Sequence, residues 1–223
     1  MKEVSKWKKN FVLGVLFILP LVAYLFFASG VNHFSKLPVL EDRIGDLSAF
    51  SKPNDSITLQ NKITVLGFMG TDLNTTKGNL FNLNQKIYNY FYEFSDFQML
   101  MIMPNGTQQM VKNVMADLDG LTNTEKWHFI YGEPTQIQAF FKSLKSPYSL
   151  DSNLHTPQVF IIDKKAALRG RDDDEDEGKL YGYNSGSVAE INGKMKDDVK
   201  VILAEYRLAL KKYNDSKLKI DQK

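Results

Sequence analysis

Three histidines and no cysteine limit the chemistry that is open to this 223-residue chain. Without thiols, the chain cannot form disulfides, perform thiol catalysis or build zinc-finger and iron–sulfur sites. A metal cage made of imidazoles alone would need His33, His128 and His155 together. The formal net charge of +2 gives no general attraction to nucleic acid, and no nucleic-acid partner is expected. We predict no cofactor and no enzymatic activity.

Methionines alternate along the apolar segment 97–103, at Met99, Met101 and Met103. Thioethers bind Cu(I), so the pattern could indicate copper ligands. Alternation along a strand also places all three side chains on one face of a sheet, where methionine fills gaps in a core. The pattern favours core packing over copper binding.

A block of six consecutive carboxylates is the second group that could bind a ligand. Its members, called the acidic block below, are Asp172, Asp173, Asp174, Glu175, Asp176 and Glu177. EF-hand loops space their oxygen ligands and include a central glycine, and the acidic block does neither. The pattern favours a solvated, self-repelling hairpin loop that Arg169 and Arg171 partly neutralise. Contact with a divalent cation or a basic partner is the alternative.

The N-terminal region has the composition of a membrane anchor. Residues 1–9 are basic, and residues 10–32 contain no charged side chain. About 20 apolar residues cross the hydrocarbon layer of a membrane, and flanking basic residues stay in the cytoplasm. We predict an uncleaved, single-pass helix over 10–32 in the inner (cytoplasmic) membrane, with the main domain on the periplasmic, exported side. A cleaved signal peptide is the alternative, although its apolar region is usually shorter.

The remaining residues form a spacer (33–47), one domain (48–213) and a polar C-terminal tail (214–223). Within the domain, apolar segments rich in β-branched residues alternate with segments that have helical periodicity. Strands are predicted over 63–68, 97–103, 127–131 and 159–162, a hairpin over 167–170 and 180–183, and helices over 77–94, 108–118, from 134 and from 187. This order predicts an α/β domain in which helices flank a mixed sheet.

This order and three local sequences resemble the SCO/SenC family of copper-handling, thioredoxin-like proteins, over residues 45–210. The family carries two cysteines in a loop after the first core strand, and the matching segment here is Gly67–Thr76, with Thr71 and Thr75 at the cysteine positions. The family's distal histidine matches His155, at the start of His155–Asp163. Thr156 and Pro157 are similar to the Thr-Pro pair of thioredoxins, which implies a cis peptide bond.

The resemblance implies a thioredoxin-like fold behind one membrane helix, and the two threonines imply that the family's chemistry is lost. A hydroxyl is a hard, weak ligand for copper and cannot exchange with a disulfide. We expect His155 to hydrogen-bond to the loop carrying Thr71 rather than to bind metal. We also expect Thr71 and Thr75 to hold that loop by capping the following helix.

The function implied is that of a membrane-anchored, redox-inactive accessory or assembly subunit of an integral membrane complex. The family points to cytochrome oxidase assembly. The alternative is a weak copper chaperone for the oxidase that uses His155 as its ligand.

Overall fold

The computed structural model describes residues 6–29, 36–53 and 57–220. The chain divides into two compact units, residues 1–35 and 36–223. In the first, α1 (Lys6–Ser29) contains Pro20, and its segment Trp7–Leu25 is long and apolar enough to cross a membrane. The predicted basic tail before residue 6 and His33 lie outside the described residues.

Within the described residues, the second unit contains nine strands and four helices. The strands are β1 (Val39–Glu41), β2 (Ile63–Met69), β3 (Phe97–Pro104), β4 (Trp127–Gly132), β5 (His155–Ile162), β6 (Leu168–Arg169), β7 (Arg171–Asp174), β8 (Gly178–Leu180) and β9 (Tyr183–Asn184). The helices are α2 (Leu73–Leu83, continued by a π turn Asn84–Tyr88 and Asn89–Phe91), α3 (Gln108–Asp119), α4 (Pro134–Ser143) and α5 (Val188–Glu190, a π turn Ile191–Met195 and Lys196–Ile220).

The main sheet has seven strands in the order β1-β6-β5-β2-β3-β4, and β9 pairs with β5. The β2–β3 and β3–β4 pairs are parallel, whereas β5 is antiparallel to β2. The sheet is therefore mixed, as predicted. Since β2 and β5 are neighbours, the end of β2 lies beside the start of β5, and Met69 is paired with His155.

Each face of the sheet buries a separate apolar cluster. One face packs against α2, α3 and α5, through residues such as Val65, Met101 and Ile202. The other packs against α4 and the segment that precedes β2, through residues such as Leu66 and Phe140. The alternation along β2 and β3 supplies both clusters, because neighbouring residues of a strand point to opposite faces.

The predicted hairpin between 167–170 and 180–183 is wrong. β6 pairs with β5 and β1, and the hairpin partner of β8 is β7, which lies inside the acidic block. The physical reason is that β5 needs a second neighbour in the sheet, and β6, with its buried Leu168, supplies it. The predicted hairpin would have left that side of β5 unpaired.

Two further segments differ from the sequence-based expectation. Part of the predicted spacer, from Leu37 to Leu47, is packed into the domain, with β1 in the sheet and Leu37, Ile44 and Leu47 buried. The helix predicted over 77–94 begins at Leu73 and ends at Phe91. Tyr88, in the π turn of this helix, is fully buried and packs against Trp127.

Candidate functional site

The loop after β2 is held against the segment before β5 by backbone contacts. Gly70 has φ of +71°, and a Cβ atom there would lie 2.6 Å from the carbonyl oxygen of Asn153 and 2.8 Å from Cβ of His155. The N–H of Thr71 donates to that same carbonyl at 3.0 Å. The two segments that carry the family resemblance are therefore in direct contact, and only glycine fits where they meet.

His155 lies beside this loop with one ring nitrogen unpaired. Its backbone N–H donates to Oδ1 of Asp151 at 2.9 Å, and its Nδ1 lies 3.8 Å from Oδ2 of the same residue. Its Nε2 is buried and has no hydrogen-bond partner among the described residues. Burial lowers the pKa of His155, and Asp151 opposes that shift. The imidazole is therefore held in its neutral form, with a lone pair or proton at Nε2 left free.

Helix α2 is capped by Asp72, so the predicted capping role of Thr71 and Thr75 is wrong. Asp72 Oδ1 accepts from the N–H of Thr75 at 3.3 Å, and the Thr75 hydroxyl donates to Oδ2 at 2.6 Å. These bonds lower the pKa of Asp72. A carboxylate is the better cap because it accepts from the open N–H groups and its charge favours a helix N-terminus. Thr75 orients the cap, and both Thr71 and Thr75 are exposed.

Two residues that sequence reasoning missed hold this loop. Asp72 directly precedes the helix, which is a recognised start signal. Thr76 is buried, and its hydroxyl lies 3.3 Å from the carbonyl oxygen of Met69 and 3.1 Å from that of Asp72. Thr76 thus joins the end of β2 to the first turn of α2, the role that was expected of its exposed neighbours.

The Thr156–Pro157 peptide bond is trans, so the predicted cis bond is also wrong. Pro157 lies in an irregular stretch of β5, where the pairs Phe68–Thr156 and Leu66–Phe160 enclose three residues on β5 and one on β2. The extra residues accommodate a proline within an extended strand. The carbonyl oxygen of Pro157 accepts from both the N–H and the hydroxyl of Ser185.

The methionines of β3 are buried in the core, as predicted. Met69 and Met101 come together above Gly67, because Met69 Cε and Met101 Sδ each lie 2.7 Å from the point where a Cβ of Gly67 would stand. Paired residues of neighbouring strands share a face, so His155 is on the same face of the sheet as Met69. One imidazole and two thioethers thus lie on one side of the sheet at this end.

The other predicted ligands are not brought to this site. His128 lies on β4, separated from β5 by β2 and β3. Within the described residues, no group of three or more histidine or carboxylate side chains could hold a metal ion. At this site, the described part of the chain offers a metal the Nε2 of His155 and the thioethers of Met69 and Met101. This donor set fits Cu(I) and not a hard cation.

The acidic block forms the β7–β8 hairpin and is exposed except at one residue. Asp174 is buried; Lys194 Nζ lies 2.7 Å from its Oδ1, which also accepts from the N–H groups of Asp176 and Glu177. These partners lower the pKa of Asp174 and raise that of Lys194. Arg171 lies 3.5 Å from Asp174. The expectation that Arg169 also neutralises the block is wrong, because other carboxylates bind it.

Arg169 is the centre of a buried ionic cluster at the other end of β5. Its guanidinium contacts Asp163 at 2.8 Å, Glu205 at 2.6 Å and, through Nε, the carbonyl oxygen of Leu37 at 2.7 Å. Arg169 is 4% exposed and Asp163 2%. We call Leu37, Asp163, Arg169 and Glu205 the arginine cluster. It joins the first described residues of the domain to α5.

Comparisons with known proteins identify the fold of this chain and not its function. No protein-family model matches the chain, and no curated protein sequence matches it. Among solved structures, BsSco, a member of the Sco family of cytochrome c oxidase assembly proteins, aligns with a TM-score of 0.55 at 15% identity, over 74% of this chain and 95% of BsSco.

A second similar structure is that of a candidate protein disulfide isomerase from Bacteroides thetaiotaomicron. It aligns with a TM-score of 0.51 at 12% identity, over 76% of this chain and 95% of its own length. The second unit of this chain therefore has the thioredoxin-like fold that Sco proteins share, as predicted. It differs in having no cysteine.

Proposed function

We propose that this chain is a membrane-anchored, redox-inactive thioredoxin-like protein that serves as an accessory or assembly subunit of an integral membrane complex. One observation carries the proposal. The loop of Gly70 and Thr71 still closes on Asn153 and His155, while the positions that match the family's cysteines are threonines. We interpret this contact as the backbone of a Sco-type site, in a chain that has no thiol.

The partner we propose is a respiratory cytochrome oxidase or one of its assembly intermediates. Support comes from the fold shared with BsSco, which belongs to a family of oxidase assembly proteins. The step from fold to partner is an analogy, since one fold serves many functions. We assign no catalytic role to any residue of the chain.

We propose residues 10–32 as the anchor in the inner (cytoplasmic) membrane, the tail 1–9 as cytoplasmic, and the domain 48–213 as periplasmic. The apolar helix and the basic residues before it support this arrangement. A reporter fused after Lys223 is expected to be active only on the exported side. The mature protein is expected to keep its first residues, and a mature N-terminus near Gly30 would instead indicate a cleaved signal peptide.

The docking surface we propose is the exposed rim of the candidate site. Thr71, Asn74, Thr75 and Asp151 are exposed there, around the half-buried His155. An exposed polar rim can contribute to a protein interface without a covalent or redox step. Copurification of the full chain from mild detergent, followed by identification of bound membrane proteins, tests the proposal.

A pair of matched variants locates the surface. Asn74→Arg adds a large cation at the rim, and Ala116→Arg adds the same group on the exposed face of α3. We expect Asn74→Arg to reduce recovery of the oxidase at least tenfold and Ala116→Arg to leave it unchanged. Recovery of no oxidase subunit by the unmodified chain would contradict the proposed partner, and equal recovery with both variants would contradict the proposed surface.

A weak copper-chaperone role is the second candidate, favoured by the unpaired, buried Nε2 of His155 on the face that carries Met69 and Met101. Titration of the full chain in detergent with Cu(I), against a competing chelator, tests it. His128→Ala is the matched control, because His128 also lies on a strand and also has a pKa lowered by burial. Tight 1:1 binding lost in His155→Ala and kept in His128→Ala would favour the copper role over the redox-inactive subunit.

Replacing Thr71 and Thr75 by cysteine tests whether only the thiols are missing. The loop would then carry the family's spacing beside His155, so we expect the double variant to form a disulfide or to bind copper. A double variant that stays reduced under oxidising conditions and binds no copper would show that the site has changed beyond its two hydroxyls.

A further inference from the structure

Helix α5 continues past Leu203, which is its last buried residue among those whose burial the structure describes, up to Ala209. Arg207, Leu208 and Ala209 are exposed. The helical backbone nevertheless runs to Ile220. We call residues 207–220 the C-terminal basic helix; at about 1.5 Å per residue it is ~21 Å long.

The C-terminal basic helix has a higher net positive charge than the whole chain. It holds five basic residues and one acidic residue, a net charge of +4, whereas the whole chain has +2. Apolar residues follow Tyr206 at helical spacing, at Leu210, Tyr213 and Ile220. A basic helix with a periodic apolar pattern is typical of segments that lie at the surface of an anionic membrane.

This helix starts where the chain enters the domain. Through Arg169, the arginine cluster joins Leu37 to Glu205, two residues before the C-terminal basic helix begins. A surface cleft at the same corner is lined by Lys36 and Leu37 on one side and by Tyr206 and Ala209 on the other. Seven residues, 30–36, separate the end of α1 from Leu37, and such a segment spans at most roughly 25 Å.

We propose that the C-terminal basic helix binds the anionic phospholipid headgroups of the membrane that holds α1, as a second, electrostatic attachment. The proposal rests on the membrane anchor proposed above. The charge of the helix is complementary to an anionic lipid surface. Only seven residues, 30–36, connect α1 to the start of the second unit. The acidic block of a second copy is the competing occupant, and the test separates the two.

The absence of cysteine makes a site-specific probe straightforward. Ser216→Cys, in the C-terminal basic helix, takes an environment-sensitive fluorophore, and Ser152→Cys, exposed near the candidate site, is the control position. The full chain is reconstituted into vesicles of phosphatidylcholine alone, or of phosphatidylcholine with phosphatidylglycerol. Quenching by aqueous acrylamide then measures how far each label is shielded.

We expect the label at residue 216 to be shielded severalfold in the anionic vesicles only, and the label at residue 152 to be equally exposed in both. High salt should remove the shielding, because the screening length falls to about 3 Å at 1 M. Each basic residue near an anionic surface strengthens binding about fivefold. Replacing four lysines of the helix by glutamine should therefore remove the shielding, and the four are Lys211, Lys212, Lys217 and Lys219.

A second set of four exposed lysines controls for net charge alone, and it comprises Lys77, Lys112, Lys142 and Lys179. Replacing these by glutamine should leave the shielding unchanged. Equal shielding in both kinds of vesicle, or none in either, would overturn the proposal. Shielding that depends on protein concentration and is lost in Asp172→Asn with Asp173→Asn would instead identify a second copy as the occupant.

The anchor is tested separately by flotation with phosphatidylcholine vesicles, to which the basic helix has no electrostatic attraction. A chain that does not float with them lacks the proposed anchor. A chain that floats without shielding at residue 216 keeps the anchor and lacks the second attachment.

Discussion

The two ends of β5 handle buried polar groups in opposite ways. At its C-terminal end, the arginine cluster buries a carboxylate and a guanidinium and gives each its hydrogen-bond partners. At its N-terminal end, His155 has a buried ring nitrogen without a partner among the described residues, and the hydroxyl-bearing Thr71 and Thr75 are exposed. At the C-terminal end the buried polar groups bind one another. At the N-terminal end backbone contacts hold the loop in place.

The difference shows which interactions the fold depends on. A buried ion pair is costly unless it is fully bonded, so Arg169 and Asp163 have to remain together. The loop around Gly70 depends on a backbone conformation and one carbonyl contact instead. Side chains at the N-terminal end of β5 can therefore change without loss of the loop geometry, whereas the arginine cluster cannot lose a member.

Removing the guanidinium should have the largest effect. Arg169→Met leaves Asp163 as a buried carboxylate without its counter-ion, and breaking such a pair costs about 3–5 kcal/mol. Urea unfolding of the full chain in detergent, followed by fluorescence of Trp127 in a Trp7→Phe background, measures the loss. Arg43→Met, at an exposed position, is the control and should change stability by less than about 0.5 kcal/mol. Similar losses for both variants would contradict the contrast between the two ends.

A side chain at Gly70 should have the next largest effect. Gly70→Ala forces a left-handed backbone on alanine, at about 1–2 kcal/mol, and adds an overlap with the carbonyl oxygen of Asn153, so we expect a loss of roughly 2–3 kcal/mol. Gly78→Ala is the matched control, because nothing lies within 4 Å of its Cβ and it is in a helix. It should stabilise the domain by about 0.5–1 kcal/mol. The same urea-unfolding measurement distinguishes the expected loss of stability in Gly70→Ala from the expected gain in Gly78→Ala.

The cap of α2 should contribute less. Asp72→Ala removes the acceptor for the N–H of Thr75, and a lost N-cap costs about 1 kcal/mol. Thr71→Val should change stability by less than about 0.5 kcal/mol, because its side chain is exposed. Melting temperatures measured in parallel test both. A larger loss of stability for Thr71→Val than for Asp72→Ala would show that Thr71, and not Asp72, holds the loop.

The smallest effect is a pH dependence at the site end. Burial lowers the pKa of His155 in the folded protein, so the unfolded chain binds the proton more readily. The lowered pKa therefore makes its full contribution to the free energy of unfolding above about pH 6.5, the ordinary pKa of histidine. That contribution is lost as the pH falls through the lowered pKa of His155 in the folded protein. His155→Gln should flatten the fall in stability between neutral and mildly acidic pH. An unchanged slope would show that His155 is as free to protonate as it is in the unfolded chain.

Local patterns predicted the strands and helices that enclose the site. Apolar runs marked β2 and β3, and Ser187 marked the start of α5, where its hydroxyl accepts from the N–H of Glu190 at 3.3 Å. The contact between the loop of Thr71 and the segment before His155 followed from the resemblance. These features depend on neighbouring residues or on a motif, so they can be recognised in a single sequence.

The features that were missed depend on distant partners. Arg169 was assigned to the acidic block three residues away, yet its partners include Leu37, 132 residues earlier in the chain. The pairing of β1 with β6 likewise joins two very short strands whose residues show no pattern of their own. Sequence spacing carries no information about such contacts.

The arginine cluster also sets the order in which the domain can be completed during synthesis. Leu37 is made early and Glu205 late, and Arg169 contacts both. The edge strand β1 has no neighbour in the sheet until β6 emerges, and Arg169 lacks one of its carboxylates until α5 emerges. For most of translation, the stretch next to α1 is therefore an unpaired edge, which is the kind of segment that aggregates or recruits a chaperone. A chain stalled on the ribosome before residue 205 would contain β6, and Arg169 would still lack its partner Glu205.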